Sequence, residues 1–307
     1  MRDKGQALRN RSLLSWEGPW RHVLCLERAG RRMGLRTLAA CIDHAFSTPS
    51  KRLTLELAAG RAAGIESLVW FAGAFGRRKA EWGGRVLDVW LRLDELPSRR
   101  LMGILEEQGV GLRLVMSLDG KPRRLGLPGR VRLRALCRVE AGASDPSGWA
   151  DRLSDEPIGS VRLEPGPFGP FFRGALERLL ERGTAREEWT QAALARVYGV
   201  RAPEDEGSGL LSDLAYGTDG TICAGEGGFE LGRAGELRHQ DLAGRPIVTA
   251  CLSAQEGRLH PRCFQCAYKP FCRVPASFCR TNLCRFDALF SLLSRARRRK
   301  ALEAWLP

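Results

Sequence analysis

The 307-residue sequence lacks any long hydrophobic run, because no apolar stretch approaches the roughly 18 residues that a membrane-spanning helix needs. The residues that follow Met1 are polar, unlike the apolar core of a signal peptide. We therefore expect a cytoplasmic protein without a membrane association, in a compartment where thiols stay reduced.

The sequence also lacks the common catalytic arrangements. Nothing links its four histidines to one another or to a nucleophile, so no Ser-His-Asp or Cys-His site is indicated, and we expect each to be structural or at the surface: His22, His44, His239 and His260. The glycine-rich residues 225–228 do not have phosphate-loop spacing and favour a hairpin loop. Glu56 and Asp119 could form a buried acid pair, but strand-surface and turn-capping roles are expected instead.

Cysteine is abundant in one place only. Five of the ten cysteines fall within residues 263–284: Cys263, Cys266, Cys272, Cys279 and Cys284. The C-x2-C step places two thiolates on one tight turn, where they can bind the same ion, and later cysteines can complete the site. We predict a metal site formed by these five candidates. Four other cysteines stand among apolar residues in the sequence, and we expect them to be structural: Cys25, Cys41, Cys137 and Cys251.

Three interpretations of this cysteine-rich region remain open. Thiolates select zinc or an iron–sulfur cluster, and C-x2-C-x5-C followed by a distant cysteine matches a 4Fe-4S cluster better. Zinc is the alternative, although a second C-x2-C pair is missing and His260 is the one histidine nearby. A disulfide would require an oxidising compartment, for which no export signal is present.

The positive charge is large, with a formal net charge of +14 and a pI near 9.9. Arginine is spread along the whole chain, and residues 295–300 form the one dense basic run. Because aromatic residues do not alternate with the basic ones, a nucleic-acid stacking surface is not indicated. A basic surface can equally attract an acidic peptide or protein, so nucleic acid is not the expected partner.

Strand and helix patterns alternate through the first 200 residues. Residues 53–57 alternate apolar and polar side chains, as in a strand, whereas residues 35–46 repeat apolar positions at helical spacing. Further strands are predicted at 23–26, 86–91, 112–116, 131–136 and 159–163, and further helices at 65–75, 98–107, 148–153, 170–182, 186–200 and 287–305. This alternation predicts an α/β fold whose parallel sheet forms a partial (β/α)6 barrel.

A change in composition divides the chain. Residues 202–209 are rich in proline, glycine and acidic residues, as in a linker. We therefore predict a barrel domain over residues 1–200 and a C-terminal domain over residues 210–307. The second domain contains a hairpin that turns at Asp219-Gly220, the cysteine-rich region and a terminal helix.

The cysteine spacing and the segments around it resemble the SPASM region of radical SAM peptide-modifying enzymes, and are most similar to the maturases of His-Xaa-Ser peptide systems. The segments that carry the resemblance are 219–222, 229–232, 263–272, 277–282 and 286–290. The resemblance implies a small hairpin followed by one auxiliary 4Fe-4S cluster, with Cys279 as the fourth ligand and Cys284 as its competitor. Residues 32–38, 47–57 and 115–120 are similar to the radical SAM core of the same family, in that order.

Two elements of radical SAM chemistry are missing. The family holds its catalytic cluster with a C-x3-C-x2-C loop, and the corresponding window before Met33 contains only Cys25. The family's Gly-Gly-Glu-Pro turn, which contacts the cofactor's amino group, corresponds to residues 59–62, where Arg61 stands in place of the carboxylate. The chain is therefore not expected to bind S-adenosylmethionine.

These departures lead to three functional hypotheses. The first is a catalytically degenerate radical SAM/SPASM-like protein that binds a precursor peptide or an active maturase during the maturation of ribosomally made peptides. The second is an active radical SAM-type enzyme or electron-relay subunit. The third is a zinc-stabilised basic interaction module.

Overall fold

A computed structural model describes residues 20–122, 129, 131–164, 170–197, 213–226, 228–248 and 291–305. Its strands are β1 (Trp20–Cys25), β2 (Glu27–Arg28), β3 (Arg31–Arg32), β4 (Arg52–Ala58), β5 (Val86–Leu93), β6 (Gly111–Leu118), β7 (Leu133–Val139), β8 (Ser160–Glu164), β9 (Arg186–Glu187), β10 (Asp213–Tyr216), β11 (Thr221–Ala224) and β12 (Glu230–Arg233). Its helices are α1 (Leu35–Phe46), α2 (Glu66–Gly83), α3 (Arg99–Gln108), α4 (Pro146–Asp155), α5 (Pro170–Arg182), α6 (Glu188–Val197), a 3-10 helix (His239–Gly244) and α7 (Arg295–Trp305).

Of the described strands, ten form one large, mostly parallel sheet, while β2 and β3 pair with each other as a separate hairpin. Within the described residues the order of the large sheet is β12-β11-β10-β1-β4-β5-β6-β7-β8-β9. Every neighbouring pair from β10 through β1 to β9 is parallel, whereas β10–β11 and β11–β12 are antiparallel. The prediction of an α/β fold with a parallel sheet is therefore confirmed.

The two faces of this sheet differ in chemistry. On β4, Leu53, Leu55 and Leu57 point to one face and are fully buried in the hydrophobic core with side chains of α1 and α2. On the other face, the residues of β4 and its neighbours are largely charged. We call the first the helix face and the second the charged face, which consists of Arg21, Glu56, Asp88, Trp90, Arg92, Arg113, Arg134 and Ser160.

Local sequence explains where several helices begin and end. Ser98 caps α3, because its hydroxyl accepts a hydrogen bond from the Leu101 amide, and Gly109 ends the helix in a left-handed conformation. Asp145 caps α4 in the same way through the Gly148 amide, and Pro146 occupies the first turn. These helices connect successive parallel strands and cover the helix face.

The C-terminal half joins the same sheet through β10. This strand pairs in parallel with β1, from Arg21 opposite Asp213 to Leu24 opposite Tyr216. It then turns at Asp219-Gly220 into the antiparallel strand β11. The predicted linker at 202–209 lies outside the described residues, as do 287–290, so the predicted domain division stays a prediction. Among the described helices none is long and apolar enough to cross a membrane.

Candidate functional site

Glu56 lies at the centre of the charged face. Its carboxylate forms ion pairs with three guanidinium groups: Arg21 at 2.8 Å, Arg92 at 3.0 Å and Arg113 at 3.2 Å. The Glu56 side chain is only 2% exposed. Burial by itself raises the pKa of this carboxyl, but the three arginines outweigh burial and hold the pKa at about 2. The prediction that Glu56 occupies a strand surface is therefore wrong.

Three of the arginines form a row across adjacent strands. Arg92, Arg113 and Arg134 are register neighbours on β5, β6 and β7. Like charges in such a row repel one another, so the row requires acidic partners. Glu56 supplies one, and Glu188 supplies another at 3.4 Å from Arg113.

The end of the row rests on an aromatic ring. The Arg134 guanidinium lies 3.5 Å from the ring centroid of Trp90, and the Trp90 indole N–H donates to Asp88 at 2.8 Å. Asp88 also accepts from Arg132 at 2.7 Å. Burial lowers the pKa of Arg134 to about 10, and this guanidinium stays charged at neutral pH. The charged face is thus a buried network of charges rather than an open acid site.

Two acidic residues reach the charged face from the C-terminal half: Asp213 on β10, 3.8 Å from Arg21, and Glu226. Glu226, between β11 and β12, accepts two hydrogen bonds from Arg92, at 2.7 and 2.9 Å. Four strand spacings of about 4.8 Å separate β5 from β11 in the sheet, which is more than the two side chains span in a flat sheet. The sheet, or the loop after β11, therefore folds over the charged face.

The loop after β1 takes a compact form. It is a hairpin in which Glu27 pairs with Arg32 and Arg28 with Arg31. Ala29 and Gly30 form its turn with φ angles of 51° and 74°, and the Met33 amide donates to Leu26 at 2.8 Å. This is the segment in which the family resemblance would require three cysteines.

The residues there do not fit a radical SAM cluster. Cys25 supplies the single thiol of the segment, and its Sγ donates to the Glu27 carbonyl at 3.5 Å. Burial raises the pKa of Cys25, which opposes the thiolate form that a metal ligand needs. Across the described ranges, no group of three or more His, Cys, Asp or Glu side chains is arranged to hold a metal ion.

The predicted metal ligands themselves lie outside the described residues: Cys263, Cys266, Cys272, Cys279 and Cys284. Cys251 and His260 also lie outside them. Of the remaining cysteines, Cys41 and Cys137 are buried, as expected for structural thiols, while Cys25 and Cys223 are half-buried. Burial raises the pKa of Cys41 to about 12.

Asp119 is exposed in the turn after β6, in agreement with the turn role predicted for it.

The structure brings together three histidines that the sequence leaves apart. Nδ1 of His22 and Nδ1 of His44 each lie 2.8 Å from the Tyr216 hydroxyl. His239 lies 6.3 Å from His44 between ring centroids, and its ring meets Trp20 edge-on at 4.5 Å. All three histidines are buried on the helix face, so the expectation that they are structural is confirmed, while the link through Tyr216 is one that the sequence does not show.

Long-range pairing explains why the sequence does not reveal this cluster. Tyr216 comes next to β1 only because β10 adds to the edge of the sheet. The one available signal is His22, which stands between Trp20 and Leu24 on the apolar face of β1, since a buried imidazole needs a hydrogen-bonding partner.

Comparisons with known proteins support the fold. No protein-family model matches the chain, and no curated protein matches it. Among solved structures, native anSMEcpe with bound AdoMet superimposes with a TM-score of 0.60 and 11% identity, covering 93% of this chain and 98% of that chain. Native anSMEcpe with bound AdoMet and Cp18Cys peptide gives 0.63 and 12%, covering 94% and 99%. That protein is a radical SAM/SPASM anaerobic sulfatase maturase, so this chain has a radical SAM-like fold.

Proposed function

We propose that this chain is a catalytically degenerate radical SAM/SPASM-like protein. In this proposal it binds a precursor peptide, or an active maturase, in a system that modifies ribosomally made peptides. Its single metal centre is an auxiliary 4Fe-4S cluster held by Cys263, Cys266 and Cys272, with Cys279 as the fourth ligand and Cys284 as the competing one. The His-Xaa-Ser systems are the family to which the resemblance points.

The observation that carries the proposal is the hairpin after β1. A 4Fe-4S cluster that binds S-adenosylmethionine needs three thiolates on one loop, and this loop has the Cys25 thiol and a tight turn at Ala29-Gly30 instead. The loop after β4 carries the exposed Arg61, whose positive charge opposes an ammonium group. Both changes concern cofactor binding and leave the sheet intact.

Peptide binding is supported by the fold neighbours. Two of the similar structures, of native anSMEcpe, contain a bound peptide, Cp18Cys or Kp18Cys, together with AdoMet. The match with this chain covers 99% of the length of each of those structures. A chain that keeps this architecture without a cofactor loop can still hold a peptide.

The test is an anaerobic assay of the full chain after reconstitution with iron and sulfide. We expect no cleavage of S-adenosylmethionine to 5′-deoxyadenosine, with and without dithionite as the electron donor. An active radical SAM maturase, reconstituted in parallel, serves as the positive control. Turnover by this chain alone would refute the proposal and favour the active-enzyme hypothesis.

A second assay separates the peptide-binding role from the zinc-stabilised module. Iron, sulfide and zinc are quantified in protein purified anaerobically. We expect iron and sulfide in equal amounts, at no more than about four of each per chain. Zinc without iron or sulfide would support the basic interaction module instead.

A further inference from the structure

Two arginines face each other across the β2–β3 hairpin. Arg28 and Arg31 are direct cross-strand partners, next to the opposite-charge pair Glu27 and Arg32. Like charges placed directly opposite each other destabilise a two-stranded ribbon. The hairpin therefore presents more positive than negative charge at its exposed turn.

Further arginines lie at the same end of the sheet. Because parallel strands end at one edge, the loops after β1, β4 and β5 are neighbours, and we call residues 26–36, 59–65 and 94–98 the carboxyl-end mouth. Four of its arginines are exposed and, within the described part of the chain, have no acidic side chain within ion-pair distance: Arg28, Arg31, Arg36 and Arg61.

Two other charged side chains of the mouth, Arg32 and Glu95, bind its backbone. The Arg32 guanidinium donates to the Ala63 carbonyl at 3.2 Å. Glu95 accepts a hydrogen bond from the Ala62 amide at 2.8 Å, and the Asp94 amide donates to the Gly60 carbonyl at 3.2 Å. These contacts hold the loops together and leave the four exposed arginines without counterions from the mouth.

Beside the mouth, Arg92 near the end of β5 already binds one carboxylate of the chain itself. Arg28, Arg92 and Glu226 all lie close enough to the Cys25 thiol to act on its pKa, which burial raises most. Glu226 is bound to Arg92 by two hydrogen bonds, yet its side chain is 48% exposed. A carboxylate on an exposed loop, held by a partly buried arginine, marks a place where an external carboxylate can compete.

We propose that the carboxyl-end mouth binds an acidic peptide segment, with Arg28 and Arg31 contacting its carboxylates and Arg92 available to it in exchange for Glu226. This inference rests on the proposed peptide-binding function and specifies the class of peptide. Arg36 and Arg61 extend the positive surface along the rim.

The composition of the mouth favours a peptide over a nucleic acid. Its three loops contain no aromatic residue on which a base could stack, whereas nucleic-acid grooves combine arginine with aromatic rings. They also expose aliphatic side chains, with Leu35 46% and Leu96 50% accessible. Arginine beside exposed leucine matches a segment of Glu or Asp with interspersed apolar residues.

The test uses fluorescence anisotropy on the full chain with a fluorescein-labelled hexaglutamate peptide and a hexaglutamine peptide. We expect the hexaglutamate peptide to bind at least about tenfold more tightly at low ionic strength, with the preference decreasing as salt rises. The double variant Arg28→Glu with Arg31→Glu should lose about tenfold in affinity. Glu226→Gln, which removes the internal competitor, should tighten binding by about threefold.

The matched control carries the same change in net charge at the opposite edge of the sheet. Lys51→Glu with Arg186→Glu alters two exposed residues at the amino ends of β4 and β9 and should change affinity by less than about twofold. Equal losses in both double variants would show that only net charge matters and would overturn the inference. Thermal melting checks folding, and Arg28→Gln with Arg31→Gln replaces the charge-reversal variant if that variant is unfolded.

Three further outcomes separate the hypotheses. A fluorescein-labelled thymidine hexanucleotide that binds as tightly as hexaglutamate, with the same loss in the hairpin variant, would assign the mouth to nucleic acid and overturn the peptide inference. Failure of hexaglutamate to bind, with S-adenosylmethionine still uncleaved, would end this inference and leave the degenerate character intact. Cleavage of S-adenosylmethionine would end the proposed function whatever the mouth binds.

Discussion

The hydroxyl of Tyr216 lies 2.8 Å from Nδ1 of His44, and it joins the first strand of the C-terminal half to the first long helix of the chain. The same hydroxyl lies 2.8 Å from Nδ1 of His22 on β1. One phenol therefore connects three elements, β1, α1 and β10, inside the apolar layer on the helix face. These bonds add side-chain links to the backbone pairing of β10 with β1.

Replacing Tyr216 with phenylalanine is expected to destabilise the protein by about 1–3 kcal/mol. The ring still fills its space, but two buried imidazoles lose their hydrogen-bonding partner. Chemical denaturation followed by tryptophan fluorescence measures the change. The control is Trp82→Phe, since Trp82 is 89% exposed, and it should shift the free energy of unfolding by less than about 0.5 kcal/mol. An equally small effect of Tyr216→Phe would mean that the two bonds contribute nothing net.

The histidine cluster also predicts a dependence of stability on pH. Burial lowers the pKa of His44 to about 4, and it lowers the pKa of His22 well below its ordinary value. The unfolded state, with a histidine pKa near 6.5, then binds protons that the folded state excludes. The stabilisation that depends on these two neutral histidines is therefore full above about pH 6.5 and is lost as the pH falls toward 4. Glu187 acts in the opposite direction, because burial raises its pKa to about 7.

His44→Gln tests this sign, because glutamine can still bond Tyr216 but does not titrate. The pKa of His44 is about 6.5 in the unfolded state and about 4 in the folded state. This difference corresponds to a loss of roughly 3 kcal/mol of stability between pH 6.5 and pH 4. We expect the variant's free energy of unfolding to fall less steeply between pH 6.5 and 4 than that of the wild type. Carboxylates titrate in the same way in both proteins, so their contribution to the pH dependence cancels in this comparison. Parallel pH profiles would contradict the assignment.

The Glu56 network predicts a larger effect at a single position. Glu56→Gln removes the charge that balances Arg21, Arg92 and Arg113, and breaking a buried ion pair from one side costs roughly 3 kcal/mol or more. Glu303→Gln is the control, because its pair with Arg299 is exposed and contributes at most about 0.5 kcal/mol. Urea denaturation of both variants measures the difference. Similar small losses would show that water reaches the Glu56 network.

The close packing of Gly111 against Trp90 leads to a prediction for alanine substitution, with Gly103 as the comparison. A Cβ on Gly111 would lie 2.5 Å from the Trp90 indole, so Gly111→Ala must displace the ring that supports Arg134. We expect a loss of about 1–3 kcal/mol, whereas Gly103→Ala in α3, with open space around it, should gain about 0.5–1 kcal/mol. Thermal melting of the two variants should therefore move in opposite directions. A gain at both sites would mean that the indole moves freely.

Local patterns predicted most of the helices and parallel strands. The spacing of Leu38 and Ile42 gave α1 its bounds, and α5 also begins and ends where the sequence predicts. Each of these elements depends on neighbouring residues, through periodicity, a cap or a turn. The helix predicted at 65–75 is longer, because α2 continues through a charged and mostly exposed stretch to the left-handed Gly84.

The candidate site depended on contacts that no local pattern contains. Glu56 alternates with leucines and so resembles a surface residue, but both faces of a parallel sheet are buried, and arginines from three other strands surround it. The Tyr216 cluster joins residues more than 170 positions apart. By contrast, the absence of a three-cysteine loop before Met33 was visible directly, because it concerns residue identity within one short segment.

The cysteine-rich region yields the last prediction. We expect Cys263, Cys266, Cys272 and Cys279 to hold one 4Fe-4S cluster, with about four irons per chain after reconstitution. In Cys266→Ser the iron and sulfide content should then fall toward zero, and the charge-transfer absorption near 400 nm should be lost. Cys137→Ser is the matched control, since Cys137 is buried in the core with a raised thiol pKa, and it should keep the full iron content. Comparing Cys279→Ser with Cys284→Ser identifies the fourth ligand, because only the true ligand's variant should release the cluster. Full iron content in Cys266→Ser would contradict the predicted ligand set.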